Sequence, residues 1–138
     1  MYRLLRGFLL ALATLAVLTL PAREASAQAI TGTWVGTASQ VGRDGGFVVV
    51  LTIDARSAQT NYPGDQCVGN LTRVGTAGNF TYYFEQIVRG RFDPATGKGC
   101  VDGAITLARA GPERVVFGWF GVADGAAVVA YADLAPSR

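Results

Sequence analysis

Apolar and polar positions follow two different patterns along the chain. From Gly7 to Leu20 the sequence is continuously apolar and uncharged. Beyond residue 28 it breaks into short segments in which apolar and polar residues alternate, the period expected of a strand with one buried face. Clusters of Gly, Asn, Asp and Pro separate these segments. No window carries an apolar face at helical spacing. Short strands punctuated in this way mark a β-sandwich or barrel.

The alternation predicts eight strands: Ile30 to Ser39, Phe47 to Asp54, Gln59 to Tyr62, Cys67 to Val74, Phe80 to Gly90, Cys100 to Ala108, Arg114 to Phe120 and Ala126 to Leu134. The short connections favour sequential antiparallel pairing. Eight strands in that order can close on themselves and remove both sheet edges. The expected fold is all-β, an eight-stranded antiparallel up-and-down barrel, with a two-sheet β-sandwich as the alternative. A barrel of this size is filled by side chains or holds one small ligand. The large residues expected inside are Trp34, Phe47, Leu51, Phe80, Tyr82, Phe84, Ile105, Phe117 and Trp119, which leaves any cavity shallow and at one open end.

Ile30-Thr31-Gly32-Thr33-Trp34 on the first strand is similar to the opening of the avidins, and Gly-x-Trp on a first strand is also the mark of lipocalins and other calycin barrels. The resemblance covers five residues and implies a calycin-like barrel. In such a barrel the glycine allows close backbone packing near the floor and the tryptophan plugs one end. The several tryptophans with which avidins hold biotin are not matched, since only Trp34 and Trp119 occur here. In size, export and single cystine the chain is also similar to small periplasmic barrels that inhibit lysozyme or secreted metalloproteases, without their inhibitory motifs.

The uninterrupted apolar run has a different meaning. Arg3 and Arg6 precede it, Pro21 ends it, and Ala25-Ser26-Ala27 places small residues where a signal peptidase reads them. Gly7 to Leu20 is too short to cross ~30 Å of hydrocarbon at ~1.5 Å per residue. Residues 1–27 are therefore expected to be a cleaved, Sec-type bacterial signal peptide. Residues 28–138 form one domain by size, placed in the periplasm or outside the cell. The leader takes three arginines and one glutamate from the chain's 12 basic and 10 acidic residues, so the remaining domain is formally neutral with nine of each. It has no basic stripe, which argues against nucleic acid as a partner. Cys67 and Cys100 are the only two cysteines, and in an exported chain such a pair reads as a disulfide.

The chemistry on offer is sparse. The absence of any histidine excludes a His-based triad, and two oxidised thiols leave no cysteine nucleophile. With no third cysteine either, a metal site is not expected. Three carboxylates lie on strands. By parity Glu85 shares an outer face with Thr81, Tyr83 and Arg89, while Asp102 lies with Cys100, Ala104 and Thr106, and Asp133 sits at the end of the last strand. None reads as a buried acid or base. Asp93-Pro94-Ala95-Thr96-Gly97 lacks the ligand spacing of a calcium loop and reads as a turn.

On the second and eighth strands both rows are apolar: Val48 and Val50 as well as Phe47, Val49, Leu51 and Ile53, and Ala126 to Tyr131 throughout. A half-exposed strand alternates more cleanly, so either the fold is a two-layer sandwich or a second copy, a protein partner or lipid covers these outer faces. Arg73, Arg89, Arg114, the cystine and the Pro-Ser-Arg ending speak against a membrane barrel. The reading is a non-catalytic exported binding protein without cofactor, holding a small apolar ligand at the barrel mouth near Trp34, Tyr82, Phe84 and Trp119. The alternative is a periplasmic protein-interaction module, such as a lysozyme or protease inhibitor, acting through loop residues Tyr62, Asp65, Arg91, Asp93 and Lys98.

Overall fold

The computed structural model describes residues 29–138; the expected leader, residues 1–27, lies outside them. Eight strands follow one another: β1 (Gly32–Gln40), β2 (Gly46–Ile53), β3 (Ala58–Tyr62), β4 (Cys67–Ala77), β5 (Phe80–Arg89), β6 (Gly103–Arg109), β7 (Val115–Ala123) and β8 (Ala126–Pro136). Each pairs antiparallel with the next, and β8 pairs back onto β1, so the sheet is a closed barrel and not a sandwich. At the closure a Cβ on Gly36 would run into the backbone of Asp133 and the side chain of Leu134, which explains a bare position in the middle of β1. The sixth strand begins three residues later than its sequence suggests. Before it, the Asp102 carboxylate accepts the Ile87 backbone N–H at 2.8 Å, where a strand partner would otherwise offer a carbonyl.

The connections sort into two ends. Residues 41–45, 63–66, 90–102 and 124–125 form the upper end. Residues 54–57, 78–79 and 110–114 form the lower end, together with the start and finish of the described chain. The lower half of the interior is packed with large side chains, among them Trp34, Leu51, Leu107, Phe117 and Leu134, all buried. Toward the upper end the inward positions shrink to Ala38, Gly69, Gly103, Gly121 and Ala130. The barrel is thus solid below and hollow above.

Trp34 seals the lower end. Its indole N–H donates to the Thr31 carbonyl at 3.0 Å, and the Arg109 guanidinium lies 5.5 Å from its ring centre. Arg109 also donates to the carbonyls of Ala29, Gly111 and Pro112, so one side chain ties the chain's start and the β6–β7 turn to the plug. At the upper end Cys67 and Cys100 are joined as a disulfide. It fastens the start of β4 to the long 90–102 loop and is worth about 3–4 kcal/mol in the chain-entropy model.

Two placements differ from the sequence reading. On β5 the buried row is Thr81, Tyr83, Glu85 and Ile87, whereas Phe80, Tyr82, Phe84 and Val88 face outward and are more than a third exposed. The inward assignment of Phe80, Tyr82 and Phe84 and the outward one of Glu85 are therefore inverted. The interior at this height already holds Phe117, Trp119 and Ile105 from the neighbouring strands and has no room for three more rings. β1 lies between the apolar outer rows of β2 and β8 and turns Thr33, Val35, Thr37 and Ser39 outward.

Candidate functional site

The upper half of the barrel is a cup of about 1470 Å³, measured out to the loops around its rim. Phe47, Tyr62, Phe117, Trp119 and Ala130 line its wall, and Arg43, Arg89, Arg91, Asp93 and Lys98 stand around its mouth. Three strands converge on its floor. β3 supplies Thr60 and Tyr62, β5 supplies Glu85, and β7 supplies Trp119.

Glu85 is the centre of this floor. The Thr60 hydroxyl and the Tyr62 hydroxyl both donate to its Oε1, the latter at 2.7 Å. The Trp119 indole N–H donates to Oε2 at 2.6 Å. Glu85 and Thr60 are fully buried and Tyr62 nearly so. Among the described residues no arginine or lysine pairs with the carboxylate, and its hydrogen-bond donors are all neutral. Burial holds the Glu85 carboxyl above the ordinary glutamate value; the three donors pull the other way, and the charge of Asp102 adds to the rise. Burial also raises the Tyr62 phenol well above its usual value, and the adjacent Glu85 charge raises it further.

Glycines on three neighbouring strands make room for the cluster. A Cβ on Gly69 would stand 2.5 Å from Glu85 Oε1 and 2.6 Å from Thr60 Oγ1. One on Gly103 would stand 2.5 Å from the Trp119 ring, and one on Gly121 would overlap the same ring. Trp119 therefore lies flat in a slot with its N–H turned toward Glu85 and part of its ring toward the cup. Chemically the arrangement holds one carboxylate and fixes two aromatic side chains around it. Glu85 borders the cavity, yet its oxygens are taken by three donors, so its direct effect is on the positions of Tyr62 and Trp119.

Of the residues singled out in the sequence for ligand contact, Trp119 lies in the cup wall. Trp34 closes the opposite end, and Tyr82 and Phe84 lie on the outer surface. The loop residues do converge on one rim. Tyr62 points inward to Glu85, Asp65 pairs with Arg43 at 3.3 Å, and Arg91 pairs with Asp102 at 3.0 Å while donating to the Ile87 carbonyl. Asp93 caps its own turn through Ala95 N–H and Thr96 Oγ1, as expected of a turn and not of a cation loop. Among the described residues no cluster of metal-ligating side chains occurs. Strand parity alone misses Thr60 and Glu85. Their signal lay in the glycines of the flanking strands, at inward positions where an ordinary core has side chains.

Comparison with protein-family models, with curated proteins and with solved structures finds no match to this chain. The calycin-like resemblance of Gly32-Thr33-Trp34 therefore remains a likeness of one strand, and function has to be read from the barrel's own geometry.

Proposed function

We propose that this chain is an exported, non-catalytic binding protein that takes a small organic molecule into the upper cup of its barrel. The observation that carries this reading is the asymmetry of the interior: one end is plugged by Trp34 and Arg109, the other hollow and walled by Phe47, Phe117 and Trp119. Small-molecule sites combine apolar walls with fixed polar groups, and in this cup polar and apolar groups share the lining about equally, the charged ones gathered at the rim. The apolar body of the ligand meets the three rings. Its polar end faces the mouth, where the Arg89 and Lys98 side chains make no hydrogen bond or ion pair among the described residues. The disulfide supports an oxidising compartment.

Native mass spectrometry of the purified protein tests the reading, with an expected adduct of small-molecule mass. A second test uses Trp34→Phe, so that Trp119 is the sole indole, titrated with anilinonaphthalene sulfonate. Saturable quenching of Trp119, lost in Ala130→Leu, is expected. A bare polypeptide mass together with an unresponsive Trp119 would overturn the proposal.

A second reading is favoured by one feature. The Cys67–Cys100 bond clamps the 63–66 turn and the 90–102 loop to one end, which stiffens a rim suited to a protein partner such as a hydrolase. Under that reading Asp65→Ala and Lys98→Ala reduce partner recovery in pull-downs, while the cup variant Ala130→Leu leaves it unchanged.

A further inference from the structure

The outside of the barrel has two unlike halves. On β1 to β4 the outward rows are mainly Thr, Ser, Gln and Asn, interrupted by Val35, Val48, Val50, Val68 and Val74. On β5 to β8 they are apolar. Phe84, Ala104, Phe120 and Val129 stand side by side across the four strands. Tyr82, Thr106, Gly118 and Tyr131 form the row below it. Nine of the twelve exposed large apolar side chains of the described residues lie on β5, β7 and β8. Phe84 is 48%, Phe120 51% and Tyr131 58% exposed. Neither row carries a lysine or arginine, and Asp133, at the lower margin, is the one charged residue in the outward rows of these strands.

We propose that this face is a homodimer interface. The exposed apolar side chains of the four strands present on the order of 700 Å², above the ~300–600 Å² of the largest patch on a typical monomer and close to the ~800 Å² per partner of a standard interface. Its relief is self-complementary. β5 raises a ridge of Phe80, Tyr82 and Phe84, and beside it Ala104, Thr106 and Gly118 form a trough. A two-fold axis standing between β5 and β6 lays the ridge of each copy in the trough of the other, which is the condition for an isologous contact. The extent of the face separates this occupant from a membrane-spanning role. A membrane-spanning barrel needs an apolar belt around its whole circumference, whereas β1 to β4 turn threonine, glutamine and asparagine outward.

Sedimentation equilibrium of the purified protein at tens of micromolar tests this. Wild type is expected to be a dimer. Phe84→Arg and Gly118→Arg place an unpaired charge in the contact and should each weaken association by at least ~100-fold. Gly118 has open space around it, the nearest atom to an added Cβ being 3.9 Å away, so its variant retains the fold, checked by circular dichroism. Thr52→Arg, exposed on β2 across the barrel from β5 and β6, should leave the dimer intact. A monomeric wild type, a dimer that survives both arginine variants, or a dimer lost equally in Thr52→Arg would overturn the proposal. So would a protein that is monomeric in water and sediments with phosphatidylcholine vesicles, which would assign the face to lipid.

Discussion

Replacing Glu85 by Leu removes the acceptor on which three donors converge. The Thr60 hydroxyl has an alternative, since the Gly69 carbonyl lies 3.5 Å away. The Trp119 indole has no other acceptor within hydrogen-bond distance among the described residues, and the Tyr62 hydroxyl has only that of Thr60. An unsatisfied buried donor costs about 1–3 kcal/mol. Tyr62 is 5% exposed and bears the larger penalty; half-buried Trp119 bears the smaller. The expected loss is about 2–4 kcal/mol, a large part of the ~5–15 kcal/mol that holds a domain together. Urea denaturation followed by far-UV circular dichroism at neutral pH measures it. A thermodynamic cycle then separates the network from mere shape: Tyr62→Phe removes the orphaned hydroxyl, so the double variant should cost less than the sum of the singles by about 1–2 kcal/mol. A Glu85→Leu protein within ~0.5 kcal/mol of wild type, or strict additivity with Tyr62→Phe, would refute the reasoning.

The same substitution predicts a pH dependence. Burial raises the Glu85 carboxyl in the folded state above its ordinary value of 4.5, so the folded protein holds this proton more tightly than the unfolded chain does. The stability this contributes is fully present below that ordinary value and is lost as pH rises through the folded value. The gap between wild type and Glu85→Leu is therefore expected to be wider at about pH 4 than at about pH 8. A gap that widens toward alkaline pH would mean that the three donors outweigh burial.

Removing the cystine with Cys67→Ala and Cys100→Ala should cost about 3–4 kcal/mol and lower Tm on the order of 10–20 °C by calorimetry; a loss under ~1 kcal/mol would count against it. Gly103→Ala forces a methyl against the Trp119 ring; a loss of about 1–3 kcal/mol and a shifted Trp119 emission are expected, and an unchanged spectrum would show that the slot is loose. Arg109→Ala strips the plug of its stacked cation and three carbonyl contacts, for a loss of about 1–3 kcal/mol in urea denaturation, with no change in probe quenching of Trp119 at the other end.

The period-two pattern was enough to place eight strands and their sequential order, because turn residues and short connections leave few alternatives; closure stayed open against a sandwich, since alternation does not say whether β8 returns to β1. The cystine was legible from the count of two cysteines in a chain expected to be exported, and Trp34 as a plug from the calycin-like resemblance, though the same reading also set it at the ligand mouth. The site was less legible. Thr60 and Glu85 are polar residues whose burial depends on partners far away in the chain: they lie 25 residues apart, and Trp119 lies 34 residues beyond Glu85. Alternation within one strand tells which residues share a face and leaves open which face is inside. The glycines at 69, 103 and 121 held that information, since each is an inward position given up to a neighbour's side chain, but their meaning depends on register.

β5 shows why the usual rule for choosing the inner face failed. One of its rows is Phe80, Tyr82, Phe84 and Val88; the other is Thr81, Tyr83, Glu85 and Ile87. Hydropathy favours burying the first. Yet a one-residue slip that did so would drive Phe84 toward the space given up at Gly103 and Gly121, already filled by Trp119, and would take the Glu85 carboxylate away from the hydroxyl of Tyr62 and the indole N–H. Packing and hydrogen bonding inside the barrel thus decide the orientation against the apparent preference of the strand itself. The apolar row is left outside, where it lies level with Ala104, Gly118 and Phe120 in a surface without a basic residue. A row expelled from the core for lack of room, and still kept aromatic, has a physical use only if another surface removes it from water. The inner cluster and the dimer face are accordingly two consequences of one choice of register on β5, and a variant that restores clean alternation there, with Phe84→Thr and Tyr82→Thr together, should keep the barrel and lose the dimer.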